Sequence, residues 1–151
     1  MGDGSQRDTS GIHVWLILWK AYDSLRRHAE RNLASLPLGM SDFAILEALL
    51  HKGPMPVTTI GTKVHLTSGS VSVAVDRLEK RGLVKRGNDP RDRRARVVRL
   101  TAPGRKMIRA AFSNHAAALE RATRELPRSE RVQLIRLLKK LGLGAESLSG
   151  G

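Results

Sequence analysis

The chain has 151 residues with 27 Lys and Arg against 14 Asp and Glu, a formal net charge of +13. This length suits one domain of ordinary size, and a hydrophobic content of 40% beside 27% charged residues is typical of a folded protein. The absence of cysteine excludes a disulfide scaffold, a thiolate metal site and a cysteine nucleophile. The longest apolar run, residues 14–19, is far short of the roughly 20 residues that span a bilayer. The first residues show no secretory signal pattern, so we expect a cytoplasmic protein.

The charge predicts the class of partner and the part of the chain that meets it. A strongly basic chain indicates a polyanion, and nucleic acid is favoured over an anionic membrane or an acidic protein. Residues 76–99 hold ten basic and four acidic residues, whereas residues 41–75 are neutral. The basic residues of 121–140 are typical of a solvated helix face. The 76–99 stretch differs because part of it does not have a helical pattern, and we expect the anionic partner there.

The N-terminal half of the chain is predicted to be helical. Residues 1–11, rich in Gly, Ser, Asp and Thr, are expected to be a disordered tail. Apolar residues then recur at steps of three and four, which predicts a long amphipathic helix. The predicted helices of this half span residues 12–33, 42–51, 59–64 and 68–81. The expected N-caps of the last three are Ser41, Thr58, and Thr67 or Ser68.

Two short strands and two further helices are predicted for the C-terminal half. Gly82 follows the fourth helix at the C′ position, where a left-handed backbone favours glycine. Residues 88–90 (Asn-Asp-Pro) supply a turn between the strands, and Thr101 caps the long helix that follows. The predicted strands span residues 83–86 and 96–100, and the predicted helices span residues 102–126 and 128–141. The tail at residues 143–151 is expected to be disordered.

The order of these elements defines the expected fold, mainly α with a small β-hairpin. Residues 41–100 form a helix-turn-helix followed by a basic hairpin, which we predict to be the DNA-binding domain. Residues 12–40 and 101–142 carry wide apolar stripes that this small unit cannot cover. A two-fold interface between two copies would bury the surplus. We therefore predict a helical dimerisation region, a homodimer with recognition helices about 34 Å apart, and a pseudo-palindromic operator.

The helix at residues 68–81 is the candidate recognition helix. At 100° per residue, one arc is apolar and is expected to be buried: Val71, Ala74, Val75 and Leu78. The opposite arc and the N-terminal end carry the predicted DNA contacts: Ser68, Gly69, Ser70, Ser72, Val73 and Arg77. Small side chains permit close approach to a major groove, hydroxyls bond base edges or phosphates, and the helix N-terminus attracts phosphate. An ordinary surface helix with Ser and Thr caps is the alternative interpretation.

The hairpin turn is the second candidate DNA contact. Arg91, Arg93 and Arg94 lie within four positions, and an arginine-tipped ribbon can enter the minor groove, where negative potential is concentrated. Asp89 and Asp92 are expected to orient neighbouring arginines or backbone, since a carboxylate beside phosphate is unfavourable. The alternative is a solvated turn.

Three linked segments resemble one known family. They are Val75 to Val84 (VDRLEKRGLV), Asp89 to Arg94 (DPRDRR) and Leu100-Thr101-x-x-Gly104. Together they are similar to the signature of MarR (multiple antibiotic resistance regulator) repressors, and the resemblance extends over residues 12–141. It implies a winged helix-turn-helix dimer with interlocked terminal helices, a recognition helix in the major groove and wing arginines in the minor groove. Val73 stands where many relatives carry a basic residue, which favours apolar contact with a thymine methyl.

The resemblance also implies a small phenolic or other aromatic effector, bound in a cleft between the dimerisation helices and the winged helix. The candidate ligand residues are His13, Trp15, Trp19 and His51. Core packing is the commoner role of two tryptophans one helical turn apart, and hydrogen-bonded histidines are commoner than ligand-binding ones. No cofactor or metal is expected, because the five histidines form no His-x-x-x-His pair and cysteine is absent.

Other classes of protein fit the sequence less well. We expect no enzyme, because the chain has no phosphate-binding Gly-rich loop, Gly-x-Ser-x-Gly or His-Glu-x-x-His motif. The basic residues cluster at a turn and not along one helix face, which disfavours a membrane-surface protein. Five aromatic residues supply no stacking platform for single strands. The sequence predicts a duplex-DNA regulator, with repression favoured over activation, and a low-specificity DNA-coating protein is the alternative.

Overall fold

The computed structural model describes residues 8–149, which form six helices and one two-stranded antiparallel sheet. In chain order the elements are α1 (Gly11–Ala34), α2 (Met40–Lys52), α3 (Val57–Val64), α4 (Ser68–Lys80), β1 (Val84–Asn88), β2 (Arg96–Leu100), α5 (Ala102–Ala122) and α6 (Arg128–Ser149). Helices α2 to α4 pack with the hairpin into one unit, α5 leads out of it, and α1 packs along α5. The predicted fold class is confirmed.

The caps of α4 and α5 form as predicted. The Thr67 side chain accepts a hydrogen bond from Ser70 N–H at 3.3 Å, and that of Thr101 accepts one from Gly104 N–H at 3.1 Å. Each hydroxyl satisfies a backbone donor that the first helical turn leaves free. Gly82 has a φ of 69°, the left-handed conformation expected after α4.

The predicted caps of α2 and α3 are wrong. Gly39 is the N-cap of α2 and Pro56 that of α3, so Ser41 and Thr58 lie inside the first helical turns. Gly39 and Pro56 already have the extended backbone of a cap residue, with ψ angles of 165° and 152°. Helical geometry therefore starts earlier than the hydroxyl residues indicate.

Helix α5 ends at Ala122, before the predicted end at residue 126. Arg131 of α6 accounts for the difference, because it donates to the carbonyls of Thr123 at 3.0 Å and Leu126 at 2.9 Å. These contacts satisfy carbonyls of the turn between α5 and α6 and hold that turn against the start of α6.

Helix α6 continues to Ser149, so the predicted end at residue 141 and the predicted disorder of residues 143–149 are wrong. Gly142 and Gly144 each disfavour a helix by about 1 kcal/mol relative to alanine, but they keep the backbone donor that proline lacks. Good helix formers flank them, and neither has a positive φ. Residues 1–7 and 150–151 of the two predicted tails lie outside the described residues.

The core lies between α2, α3, α4, α5 and the hairpin. Its largest fully buried side chains are Ile45, Leu46, Ile60, Val71, Val75, Leu78, Val84, Val98 and Ile108. The strands pair from Val84 opposite Leu100 to Asn88 opposite Arg96. Met55 extends this sheet by one bridge, with backbone bonds of 3.2 and 2.9 Å to Val98. Sequence reasoning missed the bridge because Met55 stands between two prolines.

Two apolar faces remain uncovered within the chain. Helix α6 has no buried residue in the part of the chain that the structure describes, and the buried residues of α1 are confined to Ala29 and Leu33. Between α1 and α6 lies an open apolar groove of ≈ 690 Å³. It is lined by His13, Val14, Ile17, Leu18, Ala21, Tyr22, Leu25, Leu134, Leu137, Leu138 and Leu141. None of the described helices is long and apolar enough to cross a membrane.

Candidate nucleic-acid interface

Helix α4 buries one face and exposes the other. Val71, Ala74, Val75 and Leu78 are buried, as predicted. The exposed surface begins at the N-terminus with Ser68, Gly69 and Ser70, includes the partly exposed Ser72, and reaches Val73, which is 62% exposed. This half of the helix therefore presents backbone donors, hydroxyls and one apolar side chain to solvent.

Arg77 is held within the protein. Its Nε donates to Oδ2 of Asp42 at 3.1 Å, and its Nη2 donates to Oδ1 of the same carboxylate. Asp42 lies on α2 and is 3% exposed, whereas the Arg77 side chain is 49% exposed. The hydrogen bonds to Asp42 and its negative charge raise the pKa of Arg77 above its ordinary value. Arg77 was predicted from the sequence to contact DNA, and Asp42 was not identified as its partner.

The hairpin of β1 and β2 is called the wing here, and its tip, residues 89–95, is built around two carboxylates. Asp89 Oδ1 accepts a hydrogen bond from Arg91 N–H at 2.9 Å, and Asp92 Oδ1 accepts one from Arg94 N–H at 3.0 Å. Both are Asx turns, which fix the backbone locally. Arg91, 3.6 Å from Asp89, has a side chain that is 85% exposed, and Arg93 and Arg94 are exposed as well. Within the described residues, Arg93 and Arg94 form no ion pair.

Arg86 joins the wing to α4. It lies on β1 and pairs with Asp76 at 2.6 Å and with Glu79 at 2.7 Å, both on α4. Glu79 Oε1 also accepts a hydrogen bond from Arg86 N–H at 2.9 Å. The backbone hydrogen bond and the side-chain bond from Arg86 lower the pKa of Glu79. Sequence reasoning missed this link, although the spacing of Glu79 and Arg86 across the turn at Gly82 was a usable signal.

The base of the wing is tied to α5 by a close backbone approach. The Thr101 hydroxyl donates to the Gly82 carbonyl at 2.6 Å, and Thr101 N–H donates to the Leu83 carbonyl at 3.1 Å. A side chain at Gly104 would place its Cβ 2.8 Å from the Leu83 carbonyl carbon and closer still to its oxygen. Glycine is therefore required at this position for α5 to start against the end of α4.

The four candidate ligand residues lie at different places on the described helices. His13 lines the α1–α6 groove described above, and Trp15 lines a neighbouring groove of ≈ 350 Å³. Trp15 and Trp19 are 61% and 55% exposed, so neither belongs to the core of a single chain. His51 is at the end of α2, with Nδ1 3.0 Å from the Glu47 carbonyl oxygen.

Two histidine–phenylalanine pairs connect α2 to α5. His115 meets Phe43 and His51 meets Phe112, each edge-on, with ring centroids 4.9 and 4.7 Å apart. Nδ1 of His115 is buried without a hydrogen-bond partner. Burial lowers the pKa of His115, the nearby His28 lowers it further, and Glu47 opposes the shift.

Lowering the pH below 6.5 is expected to destabilise the fold through His115. Because its pKa in the folded state lies below the ordinary 6.5, the unfolded chain takes up this proton more readily. The stability that the neutral ring contributes is complete above that value and is lost as the pH falls from there towards the folded-state pKa. Thermal denaturation between pH 7.5 and 5.5 measures this. His115→Phe should show a smaller pH dependence, and an unchanged dependence would contradict the assignment.

No group of three or more His, Cys, Asp or Glu side chains that could hold a metal ion occurs within residues 8–149. The candidate interface consists of two exposed surfaces, the N-terminus of α4 and the cationic tip of the hairpin. Arg86 joins the hairpin to α4.

A helix-turn-helix followed by an antiparallel hairpin defines a winged helix-turn-helix protein. A sequence model of the MarR family matches residues 38–95. The chain is 33% identical to the HTH-type transcriptional regulator MhqR of Bacillus subtilis (strain 168) over 135 residues, 89% of this chain and 93% of that protein. This chain belongs to the MarR family, as its motifs indicated.

Solved structures show the same fold. CouR from Rhodococcus jostii RHA1, bound to p-coumaroyl-CoA, superposes with a TM-score of 0.77 at 22% identity, covering 85% of this chain and 90% of that chain. A mutant MarR from E. coli, complexed with operator DNA, gives a TM-score of 0.74 at 21% identity, covering 86% and 94%. At this level of identity the likeness shows the fold alone.

Proposed function

We propose that this chain is a site-specific, duplex-DNA-binding transcriptional regulator. The observation that carries the proposal is the pairing of Arg86 with Asp76 and Glu79, which joins an exposed helix N-terminus and a cationic wing into one unit. In the proposed division of the chain, residues 41–100 bind DNA, and residues 12–40 and 101–142 form the dimerisation region. The protein acts in the cytoplasm, where it represses transcription by occupying a promoter.

The proposed contacts divide between the two grooves of DNA. Ser68, Gly69, Ser70 and Ser72 lie at the N-terminal half of α4, where hydroxyls and backbone donors meet phosphates and base edges in a major groove. Val73 offers an apolar surface to a thymine methyl. The wing arginines Arg91, Arg93 and Arg94 enter the adjacent minor groove, while Asp89 and Asp92 hold the backbone from which they project.

The uncovered faces of α1 and α6 support a homodimer. A 22-residue helix without a buried residue in its own chain gains its stability by packing elsewhere. A two-fold partner that covers the α1–α6 groove would bury its apolar side chains and place the two recognition helices about one turn of DNA, roughly 34 Å, apart. The operator is then a pseudo-palindrome.

A small aromatic or phenolic effector is the proposed regulator of DNA binding. Support comes from the fold shared with CouR, whose structure holds p-coumaroyl-CoA. Trp19 on α1 and His51 at the end of α2 complete the proposed set of ligand residues. A panel of aromatic acids that changes neither operator affinity nor melting temperature would remove this part of the proposal.

Fluorescence anisotropy on DNA tests the proposed function. The duplexes are the region upstream of the protein's own gene, the best sequence selected from a random duplex library, and a scrambled duplex of equal length. A preference of about 10³-fold or more for a specific sequence, with two chains per duplex, is expected. Equal binding to all duplexes, collapsing between 50 and 200 mM salt, would instead show a DNA-coating protein.

Arg93→Ala is expected to weaken binding to every duplex and to reduce the slope of log affinity against log salt by about one. The physical reason is the loss of one cation from a wing that displaces counterions. Arg121→Ala is the matched control, because it removes the same charge from the last turn of α5, about 30 Å along the helix from its first residue, Ala102. An unchanged slope in Arg93→Ala, or equal changes in both variants, would remove Arg93 from the interface.

A further inference from the structure

Asp42 is the one charged side chain among the described residues that is fully buried, and two arginines of the recognition region face it. Arg77 binds both carboxylate oxygens, and Arg81 Nη1 lies 3.7 Å from Oδ2. Arg81 also donates from Nη2 to the Pro37 carbonyl at 2.7 Å. The C-terminal end of the recognition region is thus fastened to α2 and to the segment before it.

The chemistry of these contacts makes them directional. A guanidinium that bonds both oxygens of one carboxylate is fixed in plane as well as in distance, which a lysine ammonium does not achieve. A buried carboxylate that loses its partner keeps its desolvation cost. Moving Arg77 to a phosphate would leave the buried Asp42 with only the longer 3.7 Å contact to Arg81, which favours retention of Arg77 by the protein.

The Arg77–Asp42 contact lies near the C-terminal end of α4, so a change there alters the position of the N-terminal end. Arg77 lies nine residues after Ser68, about 13 Å along the helix axis from the N-terminal end. The residues proposed to meet base edges all lie between these points. A small rotation at Arg77 therefore moves the N-terminal half of α4 in the major groove.

We propose that Asp42 is a positioning residue for DNA recognition, acting through Arg77 and Arg81 to set the angle of α4, and that Arg77 does not itself contact DNA. This inference rests on the proposed function, since it assigns how the same interface achieves specificity. It replaces the DNA contact predicted for Arg77 from the sequence.

Four variants distinguish a positioning role from direct contact with DNA. They are Arg77→Lys, Arg77→Gln, Asp42→Asn and the double variant Arg77→Gln/Asp42→Asn. Anisotropy is measured from 50 to 400 mM salt on the selected operator and on the scrambled duplex. Each single variant is expected to lose about tenfold or more in operator affinity. The double variant should lose no more than the larger single loss, because both residues act through one contact. The salt slope of Arg77→Gln should equal that of the wild type.

Arg77→Lys gives the sharpest distinction. It keeps a cation that could reach phosphate but loses the two-point contact, so operator affinity should fall as in Arg77→Gln. Retained affinity in Arg77→Lys, or a slope reduced by about 0.9 in Arg77→Gln, would show a phosphate contact and overturn the inference. Additive losses in the double variant would overturn it as well.

A measurement on the free protein, without DNA, shows whether a variant is still folded. Together with the DNA titrations it distinguishes failure of the positioning role from failure of the proposed function. Hydrogen exchange of the free protein should accelerate in α4 of Arg77→Gln while the amides of α5 keep their protection. Unchanged α4 exchange would overturn the inference. A wild type that does not discriminate between duplexes defeats the proposed function, whereas a discriminating wild type with a Lys-tolerant Arg77 defeats only the positioning role.

Discussion

Gly104→Ala is expected to lower the free energy of unfolding by about 3 kcal/mol, which corresponds to roughly 10 °C in Tm. The added Cβ would collide with the Leu83 carbonyl, and a main-chain atom cannot rotate away as a side chain can. That carbonyl also accepts the Thr101 N–H, and the Thr101 hydroxyl is bound to Gly82. The strain therefore separates α5 from the end of α4. Urea and thermal denaturation measure the loss.

Gly142→Ala is the matched control for this prediction. Gly142 is also helical, but a Cβ built there meets nothing within 4 Å. The substitution is expected to leave stability unchanged or to raise it by about 1 kcal/mol, the difference in helix propensity. If both variants lost stability equally, the close approach at Gly104 would not be the cause.

Leu138→Asp is expected to convert the protein to a monomer and to abolish operator binding. Leu138 lies on α6 and lines the grooves facing α1. In a two-fold interface the change occurs twice, and losing about 2 kcal/mol at each copy weakens the dimer about 10³-fold. Sedimentation equilibrium and anisotropy on the selected operator measure the two effects.

Gln133→Asp supplies the comparison for the dimer prediction. Gln133 is exposed on the same helix, five residues earlier, and lines neither groove, so the same carboxylate should leave assembly intact. A monomeric Gln133→Asp would point to a general effect of charge on α6. A dimeric Leu138→Asp that still binds its operator would place the interface elsewhere.

The parts of the fold that follow local rules could be predicted from the sequence. The buried face of α4 follows from apolar spacing, the cap at Thr101 from its hydroxyl, and the left-handed Gly82 from its place after a helix. Each of these depends on residues a few positions apart. The predicted length of helix α6 was too short, because Gly142 and Gly144 weaken a helix without ending it.

The contacts that organise the candidate interface could not be predicted in the same way. Asp42 and Arg77 are 35 positions apart, and their pairing depends on the angle at which α2 crosses α4. An arginine on an exposed arc has the same sequence signal whether it binds DNA or a buried carboxylate. The ligand candidates could be predicted only from residue type and position along the chain. In the fold, His13 lines the α1–α6 groove, whereas His51 packs against Phe112.

The link through Arg86 has a consequence for the DNA. Because Arg86 binds Asp76 and Glu79 together, it ties the wing to α4, and the two proposed groove contacts are expected to keep a nearly constant separation. The duplex must then bend or change its groove width to meet both, and the cost depends on the stiffness of base steps that no side chain touches. We therefore expect operators with identical contacted bases to differ in affinity when the intervening steps change from flexible pyrimidine–purine steps to a stiff A-tract.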